Sequence, residues 1–251
     1  KADFIMANPP FNQKDWRGVN ELLDDPRWSG YDVPPTSNAN YGWILNMVSK
    51  LSQNGVAGFI LANGALSGGG EEYKIRKKLI ENDLVEAILV LPMKMFYTTD
   101  ISVTLWILNA NKKERTFEQN NITKIHRDRT NEILFMDLRK LGVAFEKKFI
   151  QFDTETIEKI SSTYHTWQSD KKAYEDIAEY CKSATLSELI AKDYSLVPSK
   201  YIEFVNRDEN IDFDTKMTAL QSEFVELLKE EEKSKQELLT VFKELGYEIK
   251  L

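Results

Sequence analysis

The sequence predicts an α/β fold. It reads as one half of a doubly wound sheet that ends in an antiparallel hairpin, followed by an α-helical extension and a long C-terminal helix. Three observations predict this. Apolar runs at 4–7, 56–62 and 84–91 alternate with helix-period segments at 40–52 and 71–82. Only about nine residues separate the runs at 84–91 and 101–108, too few for a crossover helix, so that pair is antiparallel. Segment 215–246 repeats apolar residues at alternating spacings of three and four. The expected organisation is an α/β half-domain over 1–110, a mixed extension over 111–205 and a helical tail over 206–251.

The chain begins at Lys1 and enters a strand at once, as a fragment of a longer protein would. The strand runs into Asn8-Pro9-Pro10-Phe11, where two prolines stop it and bias Asn8 away from helix. Residues 12–40 read as a loop, with Trp16, Trp28 and Tyr31 among polar residues, glycines and prolines. Such a loop either walls a binding cleft or is pinned to the body by its rings. Asn40 is placed to cap a helix through about 52, in which Ile44, Leu45, Val48 and Leu51 share a face and Asn54-Gly55 ends it. The run 56–62 reads as a buried parallel strand.

Asn63 and Gly64 open a glycine-rich loop through Gly70. This loop lacks the Lys-Ser/Thr pair of a nucleotide loop, and Glu71-Glu72 behind it repel phosphate. In a doubly wound sheet, ligands sit beyond the carboxyl ends of the strands, where Asn8, Phe11, Asn63 and Gly64 all fall. The 93–100 loop, with Phe96 and Tyr97, is either a further cleft wall or ordinary packing. Between 110 and 131, Lys112, Lys113, Arg127 and Arg129 form the most basic local stretch. It is a weak phosphate-binding candidate against the alternative of a solvated hairpin. A strand is expected at 133–138, one or two helices over 154–181, and a helix to about 192 behind a Thr185/Glu188 capping box.

The 251 residues are 42% apolar and carry a net charge of −7, awkward for a protein that contacts nucleic acid unless a local patch or a partner supplies cations. No run of about 18 apolar residues marks a membrane span, and no signal peptide is expected. The single Cys181 excludes an internal disulfide and fits a reducing, cytoplasmic setting. Two histidines far apart, His126 and His165, offer no metal cluster, so no metal site is expected.

The Asn8–Phe11 corner suits one chemical problem. An exocyclic amine on an aromatic base is a poor nucleophile because its lone pair is delocalised. The Asn8 side-chain oxygen and the Pro9 carbonyl can accept from its two N–H groups and localise that pair as the nitrogen attacks. Phe11 can stack on the base once it leaves its duplex. The alternative is a strand-ending turn with a buried phenylalanine.

Asp3-Phe4-Ile5-Met6-Ala7-Asn8-Pro9-Pro10-Phe11 resembles the catalytic motif of amino-methyltransferases that use S-adenosylmethionine. More narrowly, the chain resembles the modification subunit of type I restriction–modification systems, which methylates adenine N6 in DNA. The narrower resemblance rests on Phe59-Ile60-Leu61-Ala62-Asn63-Gly64-Ala65-Leu66-Ser67-Gly68, Ile75-Arg76-Lys77-Lys78-Leu79-Ile80-Glu81, Leu84-Val85-Glu86-Ala87-Ile88 and Tyr194-Ser195-Leu196-Val197-Pro198-Ser199-Lys200-Tyr201-Ile202. Ala62 departs from it, standing where proline is expected. The resemblance spans most of the chain and matches least over 110–180 and the tail.

The resemblance implies the C-terminal half of an S-adenosylmethionine methyltransferase sheet, with 1–110 as the catalytic half-domain. It implies Asn8, Pro9, Pro10 and Phe11 as catalytic, Asn8 as the edge of the cofactor site, and Asn63, Gly64 and Phe96 as cleft loops. The glycine-rich cofactor motif of the family is missing from this stretch, so the chain alone is expected to be inactive and to bind S-adenosylmethionine weakly or not at all. Implied partners are DNA, a DNA-specificity subunit docked on the C-terminal helix, and a restriction subunit. Two other readings stay open: a non-catalytic DNA- and subunit-docking module, and a methyltransferase acting on an RNA base or a protein glutamine.

Overall fold

The computed structural model describes residues 1–97, 99–119, 121–146, 148–205 and 212–247, which fall into two units, Lys1–Phe204 and Val205–Leu251. The first unit is built on a six-stranded sheet. Strand β1 (Ala2–Ala7) leads through the loop to helix α1 (Asn40–Val48) and strand β2 (Leu51–Ala62). Helix α2 (Gly70–Glu81), strand β3 (Val85–Val90) and strand β4 (Val103–Asn109) follow. A hairpin of β5 (Arg115–Gln119) and β6 (Ile122–His126) precedes β7 (Glu132–Asp137), and a small hairpin pairs β8 (Val143–Phe145) with β9 (Phe149–Gln151). Helix α3 (Thr154–Ser169), strand β10 (Cys181–Thr185) and helix α4 (Leu186–Ala191) complete the unit.

The sheet order is β1-β2-β4-β3-β7-β10. Strand β4 lies antiparallel between β2 and β3, as the short connection from β3 requires. Strands β1, β2, β3 and β7 therefore all point one way, and their carboxyl ends share one edge of the sheet. The extension contributes β7 and β10 to this same sheet.

Helices α1 and α2 cover one face, over a core that includes Tyr41, Ile44, Phe59, Leu79 and Trp106. Trp106 is fully buried, stacked on Phe59 at 6.0 Å and edge-on to Tyr41 at 6.4 Å. Helix α3 brings Trp167 to the other face, against Leu89, Leu134, Met136 and Cys181. Every residue of β3 is buried, so it reads as a continuous apolar run. Its one charged member, Glu86, pairs with the equally buried Arg129 at 3.0 Å.

Three expectations are corrected. The first helix stops at Val48, and Leu51 already belongs to β2, paired with Ala2. Asn54-Gly55 lies inside that strand, where the β1 register shifts. A Cβ at Gly55 would sit 2.7 Å from the Ala2 carbonyl oxygen, so only glycine lets the strands pass there. Of the one or two helices expected over 154–181 there is one, ending at Ser169, and Cys181 is a strand residue paired with Met136. Asn40 does not cap α1, whose N-cap is Ala39, because its side chain is engaged elsewhere. The Thr185/Glu188 capping box is present as expected.

The second unit contains helix α5 (Phe213–Glu244), a 32-residue helix capped by the Asp212 side chain on the Thr215 N–H. None of its described residues is buried within the chain. Residues 206–211 and 248–251 of the expected tail lie outside the described residues. Among the described residues, no helix is long and apolar enough to cross a membrane.

Candidate active site at the carboxyl edge of the sheet

The site begins where β1 ends. Pro9 is buried and anchors the corner, whereas Asn8 and Pro10 are exposed. The Asn8 side chain makes no hydrogen bond to any described residue, and none of them donates to the Pro9 carbonyl oxygen. The two oxygens thus belong to adjacent residues where β1 ends, and neither has a hydrogen-bond donor among the described residues. Phe11, half-buried, meets Phe96 edge-on at 6.5 Å. The structure therefore joins the Asn-Pro-Pro-Phe corner to the loop after β3, and both rings pack against the core on the α3 side of the sheet. Phe96 itself is steadied by a bridge to Thr99.

An amide clamp holds the exit of the corner. Asn12 has φ +51°, a left-handed conformation that asparagine tolerates. The Asn12 N–H donates to Asn40 Oδ1 at 3.1 Å, and Asn40 Nδ2 donates back to Asn12 Oδ1 at 2.9 Å. Asn38 adds a contact to the same Asn12 oxygen, and its own Oδ1 accepts from the Asn40 N–H. Asn40 is fully buried. Sequence reasoning missed this role; the Asn38-Ala39-Asn40 run was its only local signal.

The long loop is pinned by its rings. Trp16 Nε1 donates to the Pro35 carbonyl, Trp28 Nε1 to that of Leu22, and the two indoles meet edge-on at 6.0 Å. Trp28 is buried in the α1 side of the core. These two tryptophans hold the loop to the body rather than stand free as base platforms.

At the end of β2, Asn63 takes a different part from Asn8. Its Oδ1 accepts from Thr104 Oγ1 at 2.6 Å and its Nδ2 faces Ser102 Oγ at 3.4 Å, so this amide is committed to the β4 neighbour. It lines a small cavity of about 90 Å³ with Val90, Asp137, Arg139 and Ser199. Gly64 is exposed, with open space at its Cβ position. The glycine-rich loop is held by the buried Arg76, which donates to the Gly68 carbonyl at 2.7 Å and to the Tyr194 carbonyl at 2.9 Å. The 194–202 segment closes over the loop, with the Leu196 N–H on the Leu66 carbonyl and Tyr201 stacked on Phe135 at 4.3 Å.

The basic stretch is divided by burial. Lys112 is buried, pairs with Asp83 and donates to the carbonyls of Val85 and Glu132. Burial pushes its pKa down. Arg129 is fully buried against Glu86, and Arg127 pairs with Glu132 at 2.7 Å while donating to the Trp167 carbonyl. Lys112 and Arg129 are therefore internal braces, not phosphate contacts: each answers a carboxylate that β3 or its preceding turn places underneath. Lys113 alone of the four is exposed. Among the described residues no cluster of His, Cys, Asp or Glu could hold a metal ion.

Comparison with known proteins adds to this geometry. The chain is 40% identical over 254 residues to the type I restriction enzyme HindI methylase subunit of Haemophilus influenzae, an alignment covering 99% of this chain and 52% of that protein. It is 34% identical to the MjaIX methylase subunit of Methanocaldococcus jannaschii, over 98% of this chain and 42% of the relative. The chain thus spans about half the length of the curated relatives it matches. Among solved structures, a type I restriction–modification methyltransferase subunit from Streptococcus thermophilus superposes with a TM-score of 0.66 at 29% identity, covering 81% of this chain and 38% of that one. The EcoKI M protein shares the fold, with a TM-score of 0.57 at 17% identity, over 95% of this chain and 50% of its own. The N-6 DNA methylase family matches residues 1–210, and the chain belongs to that family.

Proposed function

We propose that this chain carries the amine-activating half of a site-specific DNA adenine-N6 methyltransferase subunit of a type I restriction–modification system. The observation that carries the reading is the pair of acceptors at the corner, Asn8 Oδ1 and the Pro9 carbonyl, which have no donor among the described residues and adjoin the half-buried Phe11. An adenine flipped out of its duplex lays its ring against Phe11 and turns its N6 amine to those two oxygens. Positive charge grows on N6 as it attacks the methyl carbon. The two acceptors interact more strongly with that charged nitrogen than with the neutral amine, and so they lower the barrier. Base stacking contributes about 1–3 kcal/mol to holding the ring.

S-adenosylmethionine supplies the electrophilic methyl group. This chain fits that cofactor only at the edge beside Asn8. The 68–70 glycines are no cradle for it, because the Glu72 side chain crowds Gly68 and Arg76 takes the Gly68 carbonyl. The 251-residue chain alone therefore binds S-adenosylmethionine weakly or not at all, and calorimetry detecting micromolar affinity overturns this point. Helix α5 docks a DNA-specificity subunit, which supplies most of the DNA affinity that a net charge of −7 withholds.

In the complete enzyme, Asn8→Ala abolishes methylation while DNA and cofactor still bind. Digestion of methylated DNA yields N6-methyladenine. Full activity in the variant, or a different methylated product, overturns the assignment.

A further inference from the structure

A cavity of about 560 Å³ in the sheet unit lies at the opposite end of the sheet from Asn8. It opens between the starts of β1 and β2, the β5–β6 hairpin and α3. Its apolar walls are Phe4, Val56 and Phe117, its cations are Arg115 and Lys124, and the His126 imidazole lies beside them. Two nitrogens here are buried without a partner among the described residues, Arg115 Nε and His126 Nδ1. Buried polar atoms are rarely left so, and two at one cavity mark a place where a ligand atom belongs.

The neighbouring polar groups are already committed. Asp3 accepts from Ser52 Oγ, Gln168 donates to Glu86 and to Tyr164, and His165 Nδ1 meets Gln168 Oε1. The carboxylate of Glu86 is taken by Arg129. Arg115, His126 and Lys124 thus share the cavity with a single acid, Asp3.

We propose that this cavity binds a carboxylate carried on an apolar side chain, supplied by a polypeptide that packs over the outer edge of β1. The planar guanidinium of Arg115 matches a carboxylate, and one negative charge balances Arg115 and Lys124 against Asp3 at the mouth. The volume exceeds what a lone ion fills and lies within the roughly 300–1,000 Å³ of sites that take an organic body. The polypeptide source follows from what adjoins the cavity. Among the described residues strand β1 pairs with β2 alone, so its outer N–H and C=O groups face away from the sheet, where another chain can pair. On the same face Phe4 is 79% and Met6 92% exposed, an apolar surface continuous with the cavity wall.

His126 reports on occupancy. Burial lowers its pKa to about 4, helped by Arg129, Arg115 and His165 and opposed by Glu86. Lys124, on its own strand, adds positive charge, and the Tyr164 hydroxyl across the cavity is neutral. A carboxylate between Arg115 and His126 favours the imidazolium, so its binding takes up a proton and strengthens as pH falls from about 6 toward 5.

The chain has two histidines, so proton NMR of their ring C–H signals is simple to read, with His126→Gln fixing the assignment. Titrating the 251-residue chain with millimolar benzoate is expected to raise the His126 pKa by about one unit or more. Benzamide, uncharged and of the same shape, does nothing, and Arg115→Gln removes the response. No shift with benzoate, or an equal shift in Arg115→Gln, overturns the site. In the full-length protein His126 is expected to titrate at the raised value without benzoate and to ignore it when added. A full-length protein in which His126 still titrates low and answers benzoate overturns the polypeptide as occupant.

Discussion

The buried Asn40 amide grips Asn12 twice, accepting from its backbone N–H at 3.1 Å and donating to its side-chain oxygen at 2.9 Å, one residue beyond Phe11. The clamp joins the exit of the Asn-Pro-Pro-Phe corner to the start of α1, and so fixes Phe11 from the side that the strand does not control. Asn40→Ala removes the acceptor of the part-buried Asn12 N–H, which costs about 0.5–1.5 kcal/mol of stability in chemical denaturation. Asn40→Asp keeps the acceptor for the N–H but sets oxygen against oxygen at Asn12 Oδ1, and recovers only part of the loss. In the intact enzyme Asn40→Ala lowers methylation turnover more than DNA affinity. Unchanged turnover in a folded variant refutes the positioning role.

Glu86 and Arg129 are both fully buried, 3.0 Å apart, with Asn109 and Gln168 completing the shell around the carboxylate. Removing one partner strands a charge in the interior. Glu86→Gln or Arg129→Met is expected to cost about 3–5 kcal/mol, and the double variant Glu86→Met/Arg129→Met less than either alone. Lys113→Ala leaves the unfolding transition where it is and, in the complete enzyme, lowers the salt dependence of DNA binding by about one phosphate contact. Equal stability losses for Lys113→Ala and Arg129→Met would contradict this division of the basic stretch.

The contrast between those two residues shows what the sequence could reveal. The corner at Asn8 was legible because its cause is local: two prolines end a strand wherever it lies. The antiparallel β3–β4 pair was legible because a short connection excludes the alternative. Arg129 looked like a surface cation because its reason for burial, Glu86, lies 43 residues earlier and on another strand. Gly55 read as a helix stop because its constraint is the Ala2 carbonyl on a neighbouring strand, invisible to any local window. Asn40 read as a helix cap for the same reason, since its true partner is 28 residues back.

His126 gives the sheet unit a pH dependence of stability. Its folded pKa, about 4, lies below the ordinary value of 6.5, so the unfolded chain binds the proton first as the solution is acidified. The contribution is complete above the unfolded value and is lost as pH falls from 6.5 toward 4. At full strength that shift is worth about 3 kcal/mol; because the ring is only half-buried, solvent screening leaves about 1–2 kcal/mol. His126→Gln is expected to flatten the stability profile of the 251-residue chain between pH 6.5 and 4.5. An unaltered slope shows that other groups dominate acid sensitivity.

Helix α5 and its C-cap carry a heptad seam of apolar residues, with Val225 and Leu228 beside it. Met217, Leu220, Phe224, Leu227, Leu238, Val241 and Leu245 are each between 41% and 66% exposed, and Glu231 and Ser234 interrupt the series at its centre. Ion pairs such as Lys229–Glu226 and Lys233–Glu237 lie off the seam and support the helix without covering it. At about 1.5 Å per residue the helix is about 48 Å long, and its length offers several heptads to a partner helix. Large central side chains dominate such interfaces, and losing one costs about 2 kcal/mol or more. Phe224→Asp or Leu227→Asp is therefore expected to weaken association with the specificity subunit by about 30-fold or more. Glu230→Ala, off the seam, leaves it unchanged, and the unfolding transition of the sheet unit is the same in all three. If both seam variants bind like the parent chain, the docking surface lies elsewhere than on this helix.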